Sequence, residues 1–118
     1  MTKLETGFTA QLIAQLKTAA EVTGVEETRL LQQAEKLGGA QAVKELLRRG
    51  QMTRQFEPLK KAGRLDLTTE ALVIQGKYAP LFTDEEVNTC LSALLEAGMF
   101  QLGPIALIII SRIVQITF

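Results

Sequence analysis

Arg64, Asp66, Thr68 and Glu70 stand at every second position of one short block, and they are the densest set of reactive side-chain types in the chain. As a site, the block would present a guanidinium and two carboxylates on one loop. Caps and turns also account for each residue type: Asp66 or Thr68 opens a helix, Arg64 pairs with an acid, and Leu65 and Leu67 anchor the loop. Asp84-Glu85-Glu86 is a second carboxylate group. Acids in the first turn of a helix are favoured by its dipole and need no catalytic reason.

The third chemical feature is a run of cations, Lys44, Arg48, Arg49, Arg54, Lys60, Lys61 and Arg64, set against two glutamates over the same stretch. On one surface, these seven would hold nucleic acid or an acidic partner. Phe56 is the only aromatic interleaved with them, and stacking platforms for bases are therefore poor. A solvated helical face is the plainer account of such a run. Together with Asp66, these cations are the candidate binding residues.

The chain has no His, which removes the commonest general base and the commonest metal ligand. Its single cysteine, Cys90, sits on an apolar stripe between Val87 and Leu94, where it reads as a small buried hydrophobe. No catalytic residue, metal or cofactor is expected. Gly38-Gly39 lacks the strand, the further glycine and the Lys-Ser/Thr of a phosphate cradle, so it reads as a turn. Ala20 and Gly24 followed by Leu30 have helix-turn-helix spacing, but Glu26 and Glu27 would face the phosphates and oppose DNA binding.

The elements that would position these residues are helices. Leu12, Ile13, Leu16, Ala19 and Ala20 recur at helical steps between Thr9 and Thr23, and Gly24 offers a left-handed cap. Leu30, Leu31, Ala34 and Leu37 mark a second helix from Val25 to Leu37, broken by Gly38-Gly39. Val43, Leu46 and Leu47 mark a third from Ala40 to Arg49, stopped by Gly50. A short helix follows from Gln55 to Ala62, with Pro58 tolerable in its first turn. A brief helix then carries Ala71, Leu72 and Val73 and ends at Gly76. Thr83-Asp84-Glu85-Glu86 is a capping box, with Phe82 and Val87 at the positions of a hydrophobic staple. Gly98 closes that helix.

The C-terminal segment differs in kind. From Ile105 to Phe118 it is rich in β-branched residues, alternates at its end, and carries Arg112 as its only charge. As a helix it would span about 21 Å, short of the roughly 30 Å hydrocarbon core, so no membrane span is expected.

From about residue 12 to residue 100 the chain resembles a family of small, functionally uncharacterised bacterial proteins. The resemblance rests on Thr28-Arg29-Leu30-Leu31-Gln32, on Gly38-Gly39 with Ala42-Val43-Lys44, and above all on Gly63-Arg64-Leu65-Asp66-Leu67-Thr68 with Glu70-Ala71-Leu72-Val73. It closes on Tyr78, Leu81-Phe82-Thr83 and Glu85-Glu86. The resemblance implies a domain and its boundaries, not a reaction, and in such relatives the apolar tail would be foreign.

These patterns predict a mainly α protein: a compact orthogonal cluster of five to six short helices over residues 1–101, with an extended, β-prone tail at 102–118. The polar N-terminus lacks a signal-peptide apolar region, which predicts a cytoplasmic protein. The leading functional expectation is a non-enzymatic interaction or accessory module with a protein partner, self-associating through residues 105–118. The alternative is a nucleic-acid-binding accessory protein using the 44–64 stretch, and the third is a small enzyme centred on the 64–70 loop.

Overall fold

Thr2 and Glu5 start the fold, each closing the other's backbone in a capping box that opens a helix at Lys3. The structure is a computed structural model that describes residues 2–98. Its helices are α1 (Lys3–Thr23), α2 (Thr28–Leu37), α3 (Gly39–Arg48), α4 (Phe56–Lys61), α5 (Thr69–Val73) and α6 (Asp84–Glu96). Two 3₁₀ segments, Leu65–Leu67 and Gly76–Leu81, join the later helices. There is no strand among the described residues. None of the described helices is long and apolar enough to cross a membrane. The tail at 102–118, the end of the helical domain at 101 and self-association through 105–118 lie outside the described residues.

The mainly α, compact cluster expected from periodicity is the architecture found, with two corrections. α1 begins six residues before Thr9 and is 21 residues long, about 31 Å, rather than a short helix. Its extra turns bury Phe8, which lies four residues before Leu12 and extends the same stripe. α2 begins at Thr28 instead of Val25: Glu27, at its N-cap, has a non-helical backbone with φ of −99° and ψ of 57°, and its side chain is buried. A smaller difference concerns Gly76, which starts a 3₁₀ segment; α5 has already ended at Val73.

α1 is the central element, packing against α2, α3, α4, α5 and both 3₁₀ segments. Phe8, Leu12 and Leu16 line its inner face and meet Val43, Leu72, Val73, Tyr78, Phe82 and Cys90 in one core. Phe8 receives Tyr78 edge-on at 4.9 Å and Phe82 at 5.2 Å between ring centroids, the arrangement that ring quadrupoles favour. Phe56, Ala71 and Leu94 form a smaller cluster where α4, α5 and α6 meet.

The glycine pair decides how closely α3 crosses α1. Gly38 has φ of 92°, which ends α2, and Gly39 N–H donates to Thr9 Oγ1 at 2.8 Å. A Cβ at position 39 would lie 3.0 Å from the Thr9 Cα, 3.1 Å from Leu12 and 3.2 Å from Phe8. No side chain fits there without moving backbone.

α6 is fixed at its start. Thr83 Oγ1 accepts from the Glu86 N–H at 3.1 Å, and Glu86 Oε1 accepts from the Thr83 N–H at 2.7 Å. The same Glu86 oxygen accepts from Lys44 Nζ at 2.8 Å, so the cap also ties α6 to α3.

Two stability measurements check this account. Gly39→Ala overpacks the α1–α3 crossing and is expected to cost about 1–3 kcal/mol in urea unfolding. A midpoint equal to that of the wild type would show that the crossing can relax. Thr83→Ala is expected to lower stability by about 1 kcal/mol through loss of the cap, read from the same curves. An unchanged midpoint there removes the cap from the list of stabilising contacts.

Candidate binding cleft

Gly50, with φ of 68°, turns the chain out of α3 into an irregular segment that runs to α4. Its first N–H groups, of Gly50 and Gln51, still donate to α3 carbonyls, but those of Thr53 and Gln55 have no backbone acceptor and are met by side chains from elsewhere. Thr53 and Gln55 are buried, whereas Met52 and Arg54 are exposed. Alternation gives the segment an inner and an outer face.

Two buried glutamates hold the inner face. Glu70, 1% exposed, accepts from the Thr53 N–H at 3.1 Å and from its hydroxyl at 3.0 Å. Glu27, 9% exposed, accepts from the Gln55 N–H at 2.7 Å. The Gln55 amide then donates to the carbonyls of Leu16 and Val25, at 3.1 and 2.8 Å. No buried side-chain nitrogen or oxygen among the described residues lacks a partner. Neither glutamate has an ion-pair partner among those residues. Burial pushes the Glu70 carboxyl above its ordinary value, the Thr53 hydrogen bonds oppose this, and the Glu27 charge raises it further. Glu27 is also raised by burial, against the amides of Gln55 and Arg54 and the Arg54 charge.

The outer face of the segment closes a cleft of about 340 Å³ against α2 and α3. Arg29 and Gln33 come from α2, Glu45 and Leu46 from α3, and Arg49, Met52 and Arg54 from the segment after it. Leu30, Leu46 and Met52 supply its apolar surface. Glu45 is engaged by Arg48 at 2.7 Å and Glu27 by the Gln55 amide. Arg29, Arg49 and Arg54 make no salt bridge among the described residues. Three guanidiniums thus border an apolar floor with their donors open to an acceptor.

The cations singled out in the sequence do not share one surface. Arg49 and Arg54 line this cleft; Arg48 pairs with Glu45 on α3. Lys44 faces Glu86 across the α3–α6 contact, and its ammonium lies 5.5 Å from the Phe82 ring centre. Burial opposes it, but Lys44 and the Thr83 amide hold the Glu86 carboxyl below its usual range. Lys60 and Lys61 are exposed in the last turn of α4. Arg64 and Asp66 form an exposed two-pronged pair at 3.1 Å, which lowers Asp66 and raises Arg64. Thr68 caps α5 by accepting from the Ala71 N–H at 3.1 Å, and Asp66 does not. The 64–70 block is therefore divided, with Arg64 and Asp66 in solvent and Glu70 inside. Burial pushes the Cys90 thiol far above its ordinary value, so it is not held as a thiolate.

Arg29, Met52 and Gln55 were not singled out in the sequence as site residues, and Glu27 was read there only as an acid opposing DNA binding. A buried acid was signalled at Glu70, a carboxylate flanked by Ala71, Leu72 and Val73, but its partner Thr53 carries no pattern. Arg29 is separated in sequence from the basic run it joins in space.

No protein-family model matches the chain, and no curated protein or solved structure matches it. The site must be read from its own chemistry.

The buried glutamates give stability a definite pH dependence. Their native pKa values lie above the unfolded ones. Their contribution is therefore complete below the ordinary value of about 4.3 and is lost as pH rises through the raised native values. Glu86 and Asp66, lowered in the fold, act with the opposite sign. Glu70→Gln isolates one group: relative to wild type, the variant is expected to gain stability as pH is raised. Parallel stability curves from about pH 4 to about pH 8 would mean that Glu70 titrates alike in both states.

Proposed function

We propose that this chain is a non-enzymatic accessory module that receives a protein partner in the cleft between α2, α3 and the 49–54 segment. The observation that supports the reading is the set of three arginines without ion-pair partners among the described residues, arranged around Leu30, Leu46 and Met52. Arg and Met are enriched in protein interfaces, Arg for its directed donors and Met for its adaptable contact. The wall that carries Met52 and Arg54 is anchored through Thr53 and Gln55, so its shape is set before a partner arrives, and less ordering entropy opposes binding.

The test is site-specific photocrosslinking in the protein's own cells. A benzophenone side chain placed at Met52 is expected to yield a discrete protein adduct. The same group at Ser92, on the exposed face of α6, is expected to yield none. Equal labelling from both positions would remove the cleft as the contact. Retention on nucleic acid that falls steeply with salt and disappears in Arg48→Glu/Arg49→Glu/Arg54→Glu would favour nucleic-acid binding instead.

A further inference from the structure

The cleft's occupant can be specified by charge and shape. Its walls hold Arg29, Arg49 and Arg54 against Glu27 and Glu45, and both acids already have donors, the Gln55 amide and Arg48. The charged open donors are therefore all guanidinium N–H groups, beside the neutral amides of Gln33 and Gln51, and the planar guanidinium fork matches a carboxylate in two parallel bonds. Between them lies an aliphatic and thioether surface from Leu30, Leu46 and Met52, with no aromatic ring in the lining. A cavity of about 340 Å³ lies near the lower limit for ligand pockets, the size of one inserted side chain and its immediate neighbours.

We propose that the cleft binds an acidic protein segment, seating one aliphatic side chain on Leu30, Leu46 and Met52 while flanking carboxylates pair with Arg29, Arg49 and Arg54. The proposal rests on the interaction reading above and adds the chemistry of the partner. A continuous phosphate backbone fits this wall less well. Single strands gain much of their affinity by stacking on aromatics, which the cleft does not offer. Glu27 and Glu45 would also repel an unbroken line of phosphates, whereas discrete carboxylates can be spaced to avoid them. Binding to paired guanidiniums with a desolvated anchor depends on the anchor as well as on charge, and this separates the segment from a polyanion held by charge alone.

Fluorescence anisotropy with the full chain and short labelled peptides tests the assignment. The probes are a glutamate-rich peptide with one central Leu, the same peptide with Leu→Ser, the same with every Glu→Lys, and an oligothymidylate. The glutamate–leucine peptide is expected to bind, and each of the other three to bind at least about tenfold more weakly. Arg49→Glu/Arg54→Glu and, separately, Met52→Glu are expected to reduce binding by the same factor or more. Both sets of positions are exposed, and retained cooperative melting confirms that each variant is folded. Tighter binding of the lysine peptide or the oligothymidylate overturns the proposal, as does acidic-peptide affinity that both variants leave unchanged. If crosslinking from position 52 captures a partner while no acidic peptide binds, the interaction reading stands and the acidic segment is rejected. If neither is seen, both fail.

Discussion

Two buried carboxylates with no direct ion pair among the described residues hold the wall on which the cleft of this small fold depends. Glu27 and Glu70 accept the N–H groups of Gln55 and Thr53, which no helix or strand could satisfy. Hydrogen bonds to a charged acceptor contribute about 1.5–3 kcal/mol each, and an amide left bare inside costs a comparable amount. Replacing either acid by an apolar residue would thus strand a backbone donor. The segment from Gly50 to Gln55 is irregular in backbone but specified in position.

That specification reaches the surface by alternation. Because Thr53 and Gln55 point inward, Met52 and Arg54 point outward, beside Arg29 of α2 and Arg49 at the end of α3. The α2–α3 hairpin supplies the opposite wall. Its placement follows from Gly39, where the absence of a side chain lets α3 lie against Thr9, Leu12 and Phe8 of α1. Interior polar bonding and one close helix crossing together shape the cleft, and of the residues involved Glu27 also lines it.

The surrounding charges divide by partnership. Lys44, Arg48 and Arg64 have carboxylates within 3.1 Å; the Lys44–Glu86 pair is half-buried, while the more exposed Arg48–Glu45 and Arg64–Asp66 pairs are worth little to stability. Their effect is on availability: a paired cation offers fewer open donors to a ligand. Lys60 and Lys61 also lack such partners among the described residues; what distinguishes the cleft arginines is that they lack them beside the apolar surface of Leu30, Leu46 and Met52.

The sequence by itself determined the helices, because capping, periodicity and glycine stops are local signals. The Thr83–Glu86 box, the Gly24 and Gly98 ends, the Gly38–Gly39 break and the inward Cys90 all appear where residue spacing places them. The start of α1 is carried by Thr2, Glu5 and the four-residue step from Phe8 to Leu12, local signals that the stripe from Thr9 to Thr23 did not include. The cleft was not legible. Glu27 bonds a residue 28 positions away and Glu70 one 17 positions away, and neither spacing leaves a periodic trace. Only the tertiary structure could bring Arg29 to Arg49 and Arg54, and divide a linear run of cations into three paired charges, two exposed lysines and two arginines lining a shared cleft. Local propensity acts over a few residues, whereas a cavity wall is set by which distant backbone groups must find a partner once water is excluded.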